Sequence, residues 1–256
     1  MAGIVFFVGA GPGDPELITI KGKKLIDRAD LIIYAGSLVN PEIFNGTTAE
    51  TVDSSALTLD ELTALIKKWT ANDKIVVRLH TGDLSFYSAI SEQIERLTEL
   101  QIKYEVVPGV SSLGAASAAL RQELTIPEIS QTVIITRLEG NTPVPERESL
   151  SSLSSHNATL VIFLSISMIE KVTDELRRGG YKDSTPVVVV ERASWPTERI
   201  IRGTLSDIAS KVTEVGIRKT ALILVGEALS ASDSPTGKKS KLYDAGFSHG
   251  CRKDNK

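Results

Sequence analysis

The sequence has little of what several classes of protein need. With one cysteine, Cys251, among 256 residues, it excludes an intrachain disulfide and a zinc site built from cysteines. The three histidines have no metal-ligand spacing, so we expect no metal. Only 5 Tyr, 6 Phe and 2 Trp are present, and 29 basic against 32 acidic residues leave a net charge of −3. Such a chain lacks both the stacking groups and the positive charge that nucleic acid requires, so we expect no nucleic-acid partner.

Long apolar runs are also missing. The first one, Ile4–Val8, is too short for a signal peptide or a membrane span. The single cysteine is typical of a reducing compartment. With 41% hydrophobic and 24% charged residues, the composition is that of a folded globular protein. We therefore expect a cytoplasmic protein with no membrane partner.

Short apolar segments alternate with helical patterns along the chain. Most of the segments are continuously apolar, as in strands covered on both faces. This βαβ order predicts an α/β fold with mainly parallel or mixed sheets. The predicted strands are Ile4–Val8, Leu31–Tyr34, Ile75–Leu79, Tyr104–Val107, Gln131–Ile135, Leu160–Phe163, Val187–Val190 and Ala221–Val225.

Helical spacing is clearest in two segments. Apolar residues recur every three or four positions from Leu59 to Trp69, and a second pattern from Met168 to Arg178 stops at Gly179-Gly180. The pattern weakens at Leu120–Ser130, where we place a domain boundary. Three segments follow: an N-terminal α/β domain (residues 1–119), a C-terminal α/β domain (120–230) and a tail (231–256) that is partly docked through Leu242, Tyr243 and Phe247.

Three glycine turns follow predicted strands in the first half of the chain. The first, Gly9–Asp14 (GAGPGD), has Asp14 where a dinucleotide fingerprint needs its third glycine. Because a carboxylate there would repel phosphate, we interpret the turn as a rigid loop lining a ligand cleft. A plain tight turn is the alternative.

The second turn is Thr81-Gly82-Asp83, and the third is Pro108–Ser112, which leads into a helix of small residues at 113–119. Asp83 can bind a ligand or cap a following helix, and Ser111 or Ser112 can be a helix cap. Three glycine turns at strand ends indicate one ligand crevice. The sequence has no metal cluster, no nucleophile elbow and no phosphate loop of the Gly-Lys-Ser/Thr type. This favours a reaction in which a cofactor brings the reactive group.

Six segments together resemble the tetrapyrrole (corrin/porphyrin) methylase family. In family order they are VGAGPGDPELIT from Val8, RLHTGD from Arg78, VPGVSS from Val107, TRLEGNTPVPE from Thr136, ERASWPTERIIRGTL from Glu191 and ALILVGEAL from Ala221. Within the family, YAGSLVNPE from Tyr34, the segment Glu123–Glu146 and the tail Ser240–Lys253 resemble the members that methylate C(11) of precorrin-4 or cobalt-precorrin-4 in cobalamin synthesis.

The resemblance implies two α/β domains with a ligand cleft between them, a homodimer, and S-adenosylmethionine (SAM) as methyl donor. For the substrate side, the Gly11–Asp14 loop is similar to the family's tetrapyrrole loop, and we predict Asp14, Ser37 and Arg137 as substrate-binding residues. No catalytic residue is predicted. The positions that match SAM-binding residues are Pro12, Thr81, Gly82, Asp83, Phe86, Ser111, Ser112, Phe163, Leu164, Ala193, Ala221 and Leu222.

Three alternatives remain. Another family member, such as a uroporphyrinogen-III methylase or a diphthine synthase, would share the SAM site. A nicotinamide-dependent oxidoreductase would use the N-terminal glycines, although Asp14 argues against it. A non-catalytic sensor of SAM or of a tetrapyrrole would need the cleft without turnover.

Overall fold

The computed structural model describes residues 3–232 together with Ser240 and Ser248. Contacts divide the chain into two compact units, the first comprising Met1–Ala116 and Arg192–Glu198 and the second comprising Ser117–Glu191 and Arg199–Lys256. The short segment Arg192–Glu198 thus groups with the first unit, although it lies far along the chain. The predicted boundaries after residues 119 and 230 stay predictions. The predicted docking of the tail through Leu242, Tyr243 and Phe247 concerns residues outside the described ones.

The first unit is built on a parallel sheet of five strands in the order β3-β2-β4-β1-β5. Helices follow four of these strands, as βαβ connections require. The strands are β1 (Ile4–Gly9), β2 (Leu31–Tyr34), β3 (Glu50–Asp53), β4 (Ile75–His80) and β5 (Lys103–Val107); the helices are α1 (Ile20–Ile26), α2 (Leu59–Thr70), α3 (Ile90–Glu99) and α4 (Ser112–Leu120), of which α4 continues into the second unit from Ser117.

Both faces of this sheet are buried. Val5 and Phe7 of β1 pack on one face, and Val8 packs on the other with Ile32 and Leu79. All five are inaccessible to solvent. This explains why the strands are continuously apolar instead of alternating.

The second unit contains a mixed sheet in the order β6-β7-β10-β8-β9, in which only β6 and β7 are parallel. Its core includes Leu160, Ile162 and Leu176. The predicted fold class, α/β with parallel or mixed sheets, is confirmed. The strands are β6 (Val133–Arg137), β7 (Thr159–Phe163), β8 (Pro186–Glu191), β9 (Arg199–Thr204) and β10 (Ala221–Val225); the helices are α5 (Leu150–Ser154), α6 (Ile169–Arg178) and α7 (Ile208–Glu214).

Two predicted helices are confirmed. Thr58 begins α2 with a capping box, in which its side chain and that of Glu61 bond reciprocally to each other's backbone N–H. Helix α6 ends at Arg178 with Gly179 as its C-cap, and Gly180 follows with a φ of +110°. Within the described part of the chain, no helix is long and apolar enough to cross a bilayer.

Candidate functional site

The carboxyl ends of the parallel strands bring the three glycine turns of the first unit to one edge of its sheet. Gly9 lies opposite His80, and Val8 lies opposite Val107. The turns after β1, β4 and β5 therefore start side by side. In open α/β sheets, ligands bind in the crevice outside the carboxyl ends of the strands.

Glycines let these turns touch through their backbones. Gly11 and Gly82 form a pair of backbone hydrogen bonds with N–O distances of 3.2 and 2.8 Å. A Cβ atom on Gly9 would lie 2.5 Å from Cα of Gly109, and one on Gly109 would lie 2.2 Å from the Gly82 carbonyl oxygen. No other residue type would allow the three turns to approach so closely.

Side chains fix the Gly11–Asp14 loop from two directions. The Asn40 amide donates to the carbonyl oxygen of Gly13 at 3.0 Å, and the Trp195 indole N–H donates to that of Pro12 at 2.9 Å. The backbone N–H of Asp14 donates to the Ser194 hydroxyl at 3.0 Å. The interpretation of this loop as rigid follows from these bonds, whereas a plain tight turn would not need them.

Asp83 connects two of the turns. Its carboxylate accepts hydrogen bonds from the N–H of Ser85 at 2.9 Å and from the N–H of Gly109 at 2.8 Å. Burial would raise the pKa of this carboxyl, but the hydrogen bonds from Ser85 and Gly109 outweigh it, so the pKa is lowered. The alternative that Asp83 caps a helix is wrong, because residues 84–87 form a turn and α3 begins only at Ile90.

Two buried polar side chains of β4 lie behind this edge. Burial lowers the pKa of Arg78 to about 10, while the charge of Asp53 partly restores it. Burial and the neighbouring Arg78 lower the pKa of His80 to about 3. His80 is therefore neutral at physiological pH, and its Nε2 has no hydrogen-bond partner in the described part of the chain. A neutral imidazole with this pKa is a poor general base near pH 7.

The remaining predicted residues of the first unit lie along the same edge. The Thr81 hydroxyl donates to the carbonyl of Leu38, in the 3₁₀ turn that contains Ser37. The backbone of Ser111 and Ser112 lies beside Gly82, where an added Cβ would be 3.5 Å from the N atom of Ser112. The Ser111 hydroxyl accepts from the N–H of Leu113 at 3.2 Å, as an N-cap does.

Phe86 and Ala193 complete the set in this unit. Phe86 is partly buried in the turn that follows Asp83, and Ala193 is buried next to Ser194. The structure therefore gathers Pro12, Thr81, Gly82, Asp83, Ser111 and Ser112 with these two in one unit, and Asp14 and Ser37 are in the same unit.

The second unit has a comparable edge. β7 and β10 are antiparallel with Ile162 opposite Ile223, so the end of β7 at Phe163 lies near the start of β10, which contains Ala221 and Leu222. Leu164 has a φ of +54° and is 66% exposed. An exposed leucine in a left-handed conformation is costly, and such strain is concentrated at functional sites.

Arg137 lies at this second edge, opposite Phe163. Its guanidinium donates to the carbonyls of Thr142 at 3.0 Å and Pro143 at 2.9 Å. It thereby holds the proline-rich loop that follows β6. The buried hydroxyl of Ser165 accepts from the N–H of Leu138 at 2.8 Å and fixes the start of the same loop.

The second unit also contains a cavity of about 370 Å³ between the start of α6 and the end of α7, with Met168, Lys171 and Ile217 in its wall. None of the predicted site residues lines it. This cavity is therefore separate from the predicted SAM-binding and substrate-binding residues.

Sequence reasoning missed Asn40, Ser194 and Trp195, which fix the Gly11–Asp14 loop. All three lie in segments that carry the family resemblance, YAGSLVNPE and ERASWPTERI. Only the folded chain shows their contacts, because about 180 positions separate Trp195 from Pro12.

Fold and site define a class of protein: α/β proteins in which backbone and short side chains meet at the ends of strands, as they do in sites for small ligands. The family model for tetrapyrrole (corrin/porphyrin) methylases matches residues 5–209. The chain belongs to this family.

Individual relatives agree with this assignment. The chain is 56% identical to the cobalt-precorrin-4 C(11)-methyltransferase of Methanocaldococcus jannaschii, over 98% of this chain and 97% of that protein. A solved cobalt-precorrin-4 methyltransferase, described as a cobalamin biosynthetic enzyme, is 45% identical with a TM-score of 0.86 and covers 88% of this chain and 95% of its own. The uroporphyrin-III C-methyltransferase of Thermus thermophilus, solved with S-adenosylhomocysteine, is 29% identical with a TM-score of 0.73 over 88% of this chain and 92% of its own.

Proposed function

We propose that this protein is a SAM-dependent methyltransferase that methylates C(11) of precorrin-4 or cobalt-precorrin-4 in cobalamin biosynthesis. The observation that carries the proposal is the 56% identity to a cobalt-precorrin-4 C(11)-methyltransferase over nearly the whole of both chains. The likeness spans every segment that forms the two strand edges.

The chemical groups at these two edges support SAM as the ligand. Gly82 has a φ of +64° and leaves room beside the backbone of Ser111 and Ser112. Leu164 offers an exposed apolar side chain at the other edge. SAM is a nucleoside joined to an amino acid. Such a ligand requires backbone N–H and C=O groups, small side chains and apolar contacts. We therefore propose the twelve predicted positions as SAM-binding residues.

When bound, SAM supplies an electrophilic methyl group on its sulfonium, and an electron-rich ring carbon of the tetrapyrrole is the nucleophile. The protein then needs no nucleophile of its own, and the buried His80 of the first unit is a weak base. Its task is positioning, which can lower a barrier by about 7–11 kcal/mol for well-oriented partners. The fixed Gly11–Asp14 loop and the Asp83 bridge are suited to that task, because each is held by several hydrogen bonds.

For the substrate side we propose Asp14, Ser37 and Arg137. Asp14 Oδ1 accepts from the N–H of Glu16, so one carboxylate oxygen is already in use. Arg137 contacts the carbonyls of Thr142 and Pro143. Its contribution to the substrate is therefore expected to come chiefly through the loop that it holds.

The test is methyl transfer with defined acceptors. The purified protein is incubated with isotopically labelled SAM and, separately, with precorrin-4, cobalt-precorrin-4 and uroporphyrinogen III. We expect one added methyl group on a precorrin-4 species, located at C(11) by NMR, and none on uroporphyrinogen III. The comparison of the two precorrin-4 preparations shows whether cobalt is present in the preferred substrate.

Each other outcome selects an alternative. Transfer to uroporphyrinogen III alone would make the protein a different family member. Calorimetric binding of S-adenosylhomocysteine without transfer to any acceptor would favour a sensor. Binding of NAD in place of S-adenosylhomocysteine would favour an oxidoreductase and contradict the proposal.

We also propose a cytoplasmic homodimer, as the family resemblance implies. Strand β5 is the outermost strand on one side of its sheet, and its side chains Tyr104 and Val106 are 37% and 45% exposed. Exposed apolar side chains on an edge strand support an interface with a second copy. Light scattering on the eluted protein would measure the mass in solution.

A further inference from the structure

The turn Arg192–Glu198, between β8 and β9, is held in a strained conformation. Arg192 and Ser194 have φ angles of +49° and +68°, which cost free energy in residues other than glycine. The turn is closed by a hydrogen bond from the N–H of Ser194 to the Glu198 carboxylate at 2.7 Å and by one from the N–H of Trp195 to the carbonyl of Arg192 at 2.9 Å. Strain that is maintained by specific bonds indicates a functional constraint on this turn.

The turn presents Trp195 to the Gly11–Asp14 loop. A Cβ atom on Gly13 would lie 2.1 Å from two atoms of the indole ring, so the ring occupies the space that any other side chain would need. The indole N–H bonds to the carbonyl of Pro12, and Ser194 bonds to the N–H of Asp14. Trp195 and this loop are thus one rigid assembly.

Arg192 is stacked on the same indole. Its guanidinium carbon lies 4.5 Å from the ring centroid, within the range of a cation–π contact. No carboxylate of the described residues forms an ion pair with it. Glu198, the acidic residue of the same turn, is bonded to the N–H of Ser194. Stacking orients the guanidinium and leaves its edge, which carries the N–H donors, available for an anion.

We propose that Arg192 binds a carboxylate of the tetrapyrrole substrate, and that Trp195 is the positioning residue that orients it. Corrin precursors carry several acetate and propionate side chains, and a planar guanidinium can bond to a carboxylate through two parallel N–H donors. The inference rests on the proposed function, because it takes the Gly11–Asp14 loop as the substrate side. It adds a residue, and a chemical group of the substrate, that the likeness to relatives does not assign.

The test compares Arg192→Gln and Arg192→Lys with Arg28→Gln. Arg28 is an exposed residue just after α1. Because α1 runs back along the parallel sheet, Arg28 lies at the amino ends of the strands, away from the glycine turns at their carboxyl ends. Tetrapyrrole binding is measured by absorbance with S-adenosylhomocysteine present, so that no turnover occurs, and S-adenosylhomocysteine binding is measured by calorimetry. We expect the tetrapyrrole Kd to rise about 10-fold in Arg192→Gln and less in Arg192→Lys, because a charge-assisted hydrogen bond is lost or weakened. The Kd for S-adenosylhomocysteine should change less than about twofold.

Trp195→Phe tests the positioning role. This variant keeps an aromatic face for Arg192 but loses the N–H that bonds to Pro12, and Trp195→Leu loses both. We expect the tetrapyrrole Kd to rise more in Trp195→Leu than in Trp195→Phe, with Trp69→Phe as the control from the hydrophobic core of the same unit.

The outcomes separate the two proposals. An unchanged tetrapyrrole Kd in Arg192→Gln, or an equal loss of tetrapyrrole and S-adenosylhomocysteine binding, would overturn the inference while the wild type still methylates precorrin-4. A wild type that neither binds nor methylates any precorrin-4 species would instead overturn the proposed function.

Discussion

At the scale of single residues, Asp83 shows how a polar side chain at a strand end takes its role from its neighbours. Its position after Gly82 is compatible with ligand binding or with helix capping. In the folded protein its two oxygens bond to the N–H groups of Ser85 and Gly109. Asp83 therefore shapes the edge at which we propose SAM to bind.

His80 gives a pH prediction at the same scale. Burial lowers its pKa from 6.5 to about 3 in the folded protein, so between these values the unfolded chain binds a proton that the folded protein does not. Stability must then rise with pH across this window, with a slope of at most about 1.4 kcal/mol per pH unit from this group. We expect the free energy of unfolding to fall as the pH is lowered from 6.5 towards 3.

The check is denaturant unfolding of the wild type and of His80→Leu at several pH values in this window. The variant should show a shallower dependence on pH than the wild type. Equal slopes in the wild type and His80→Leu would show that His80 is not kept neutral by the fold.

At the scale of elements, the apolar sequence pattern was clearer in the central strands than in the edge strands β3 and β9. The buried strands β1, β2 and β4 have continuous apolar sequences and were predicted nearly to their ends. The edge strands β3 (ETVD) and β9 (RIIRGT) were missed, because these two carry polar residues and their sequences resemble loops. The prediction for β6 began two residues early and ended two early, since Thr136 and Arg137 continue the strand without apolar side chains.

Two glycines give a matched prediction about these elements. A methyl group on Gly109 would collide with backbone atoms of the neighbouring turns, whereas one on Gly114, in α4, would meet no atom within 4 Å. We expect Gly109→Ala to destabilise the protein by about 1–3 kcal/mol through overpacking. Gly114→Ala should stabilise it by about 0.5–1 kcal/mol, because alanine is the better helix former.

Thermal or denaturant unfolding of both variants measures these effects. If Gly109→Ala were as stable as the wild type, the close backbone contact between the turns after β4 and β5 would be incorrect. Both variants add the same methyl group. Opposite changes in the free energy of unfolding would therefore come from the surroundings of the two glycines alone.

At the scale of the whole molecule, charge is unevenly distributed along the chain. The net charge is −3, but residues 231–256 carry six Lys and Arg against three Asp, a difference of +3. Without them the chain would carry −6, which would repel an anionic tetrapyrrole more strongly. The family resemblance extends into this tail, at Ser240–Lys253.

Truncation after residue 232 tests the tail. We expect KM for the tetrapyrrole to rise several-fold, because cations that attract the anionic substrate are lost, while S-adenosylhomocysteine binding stays within about twofold. The increase should shrink at high salt, which screens the same attraction in the complete chain. Equal losses of both ligands would point to a structural role for the tail.

The sequence by itself determined the α/β class, the central strands, and the three glycine turns at strand ends, because apolar period and glycine freedom are local properties that each segment carries alone. The resemblance, read from the same residues, predicted the family. Tertiary structure decided which side chains hold those turns in place: Trp195 lies 183 positions from Pro12 in the chain yet bonds to it, and Asp83 meets Gly109 only because β4, β1 and β5 are parallel neighbours. Such contacts depend on how distant segments pack, and no local pattern records that.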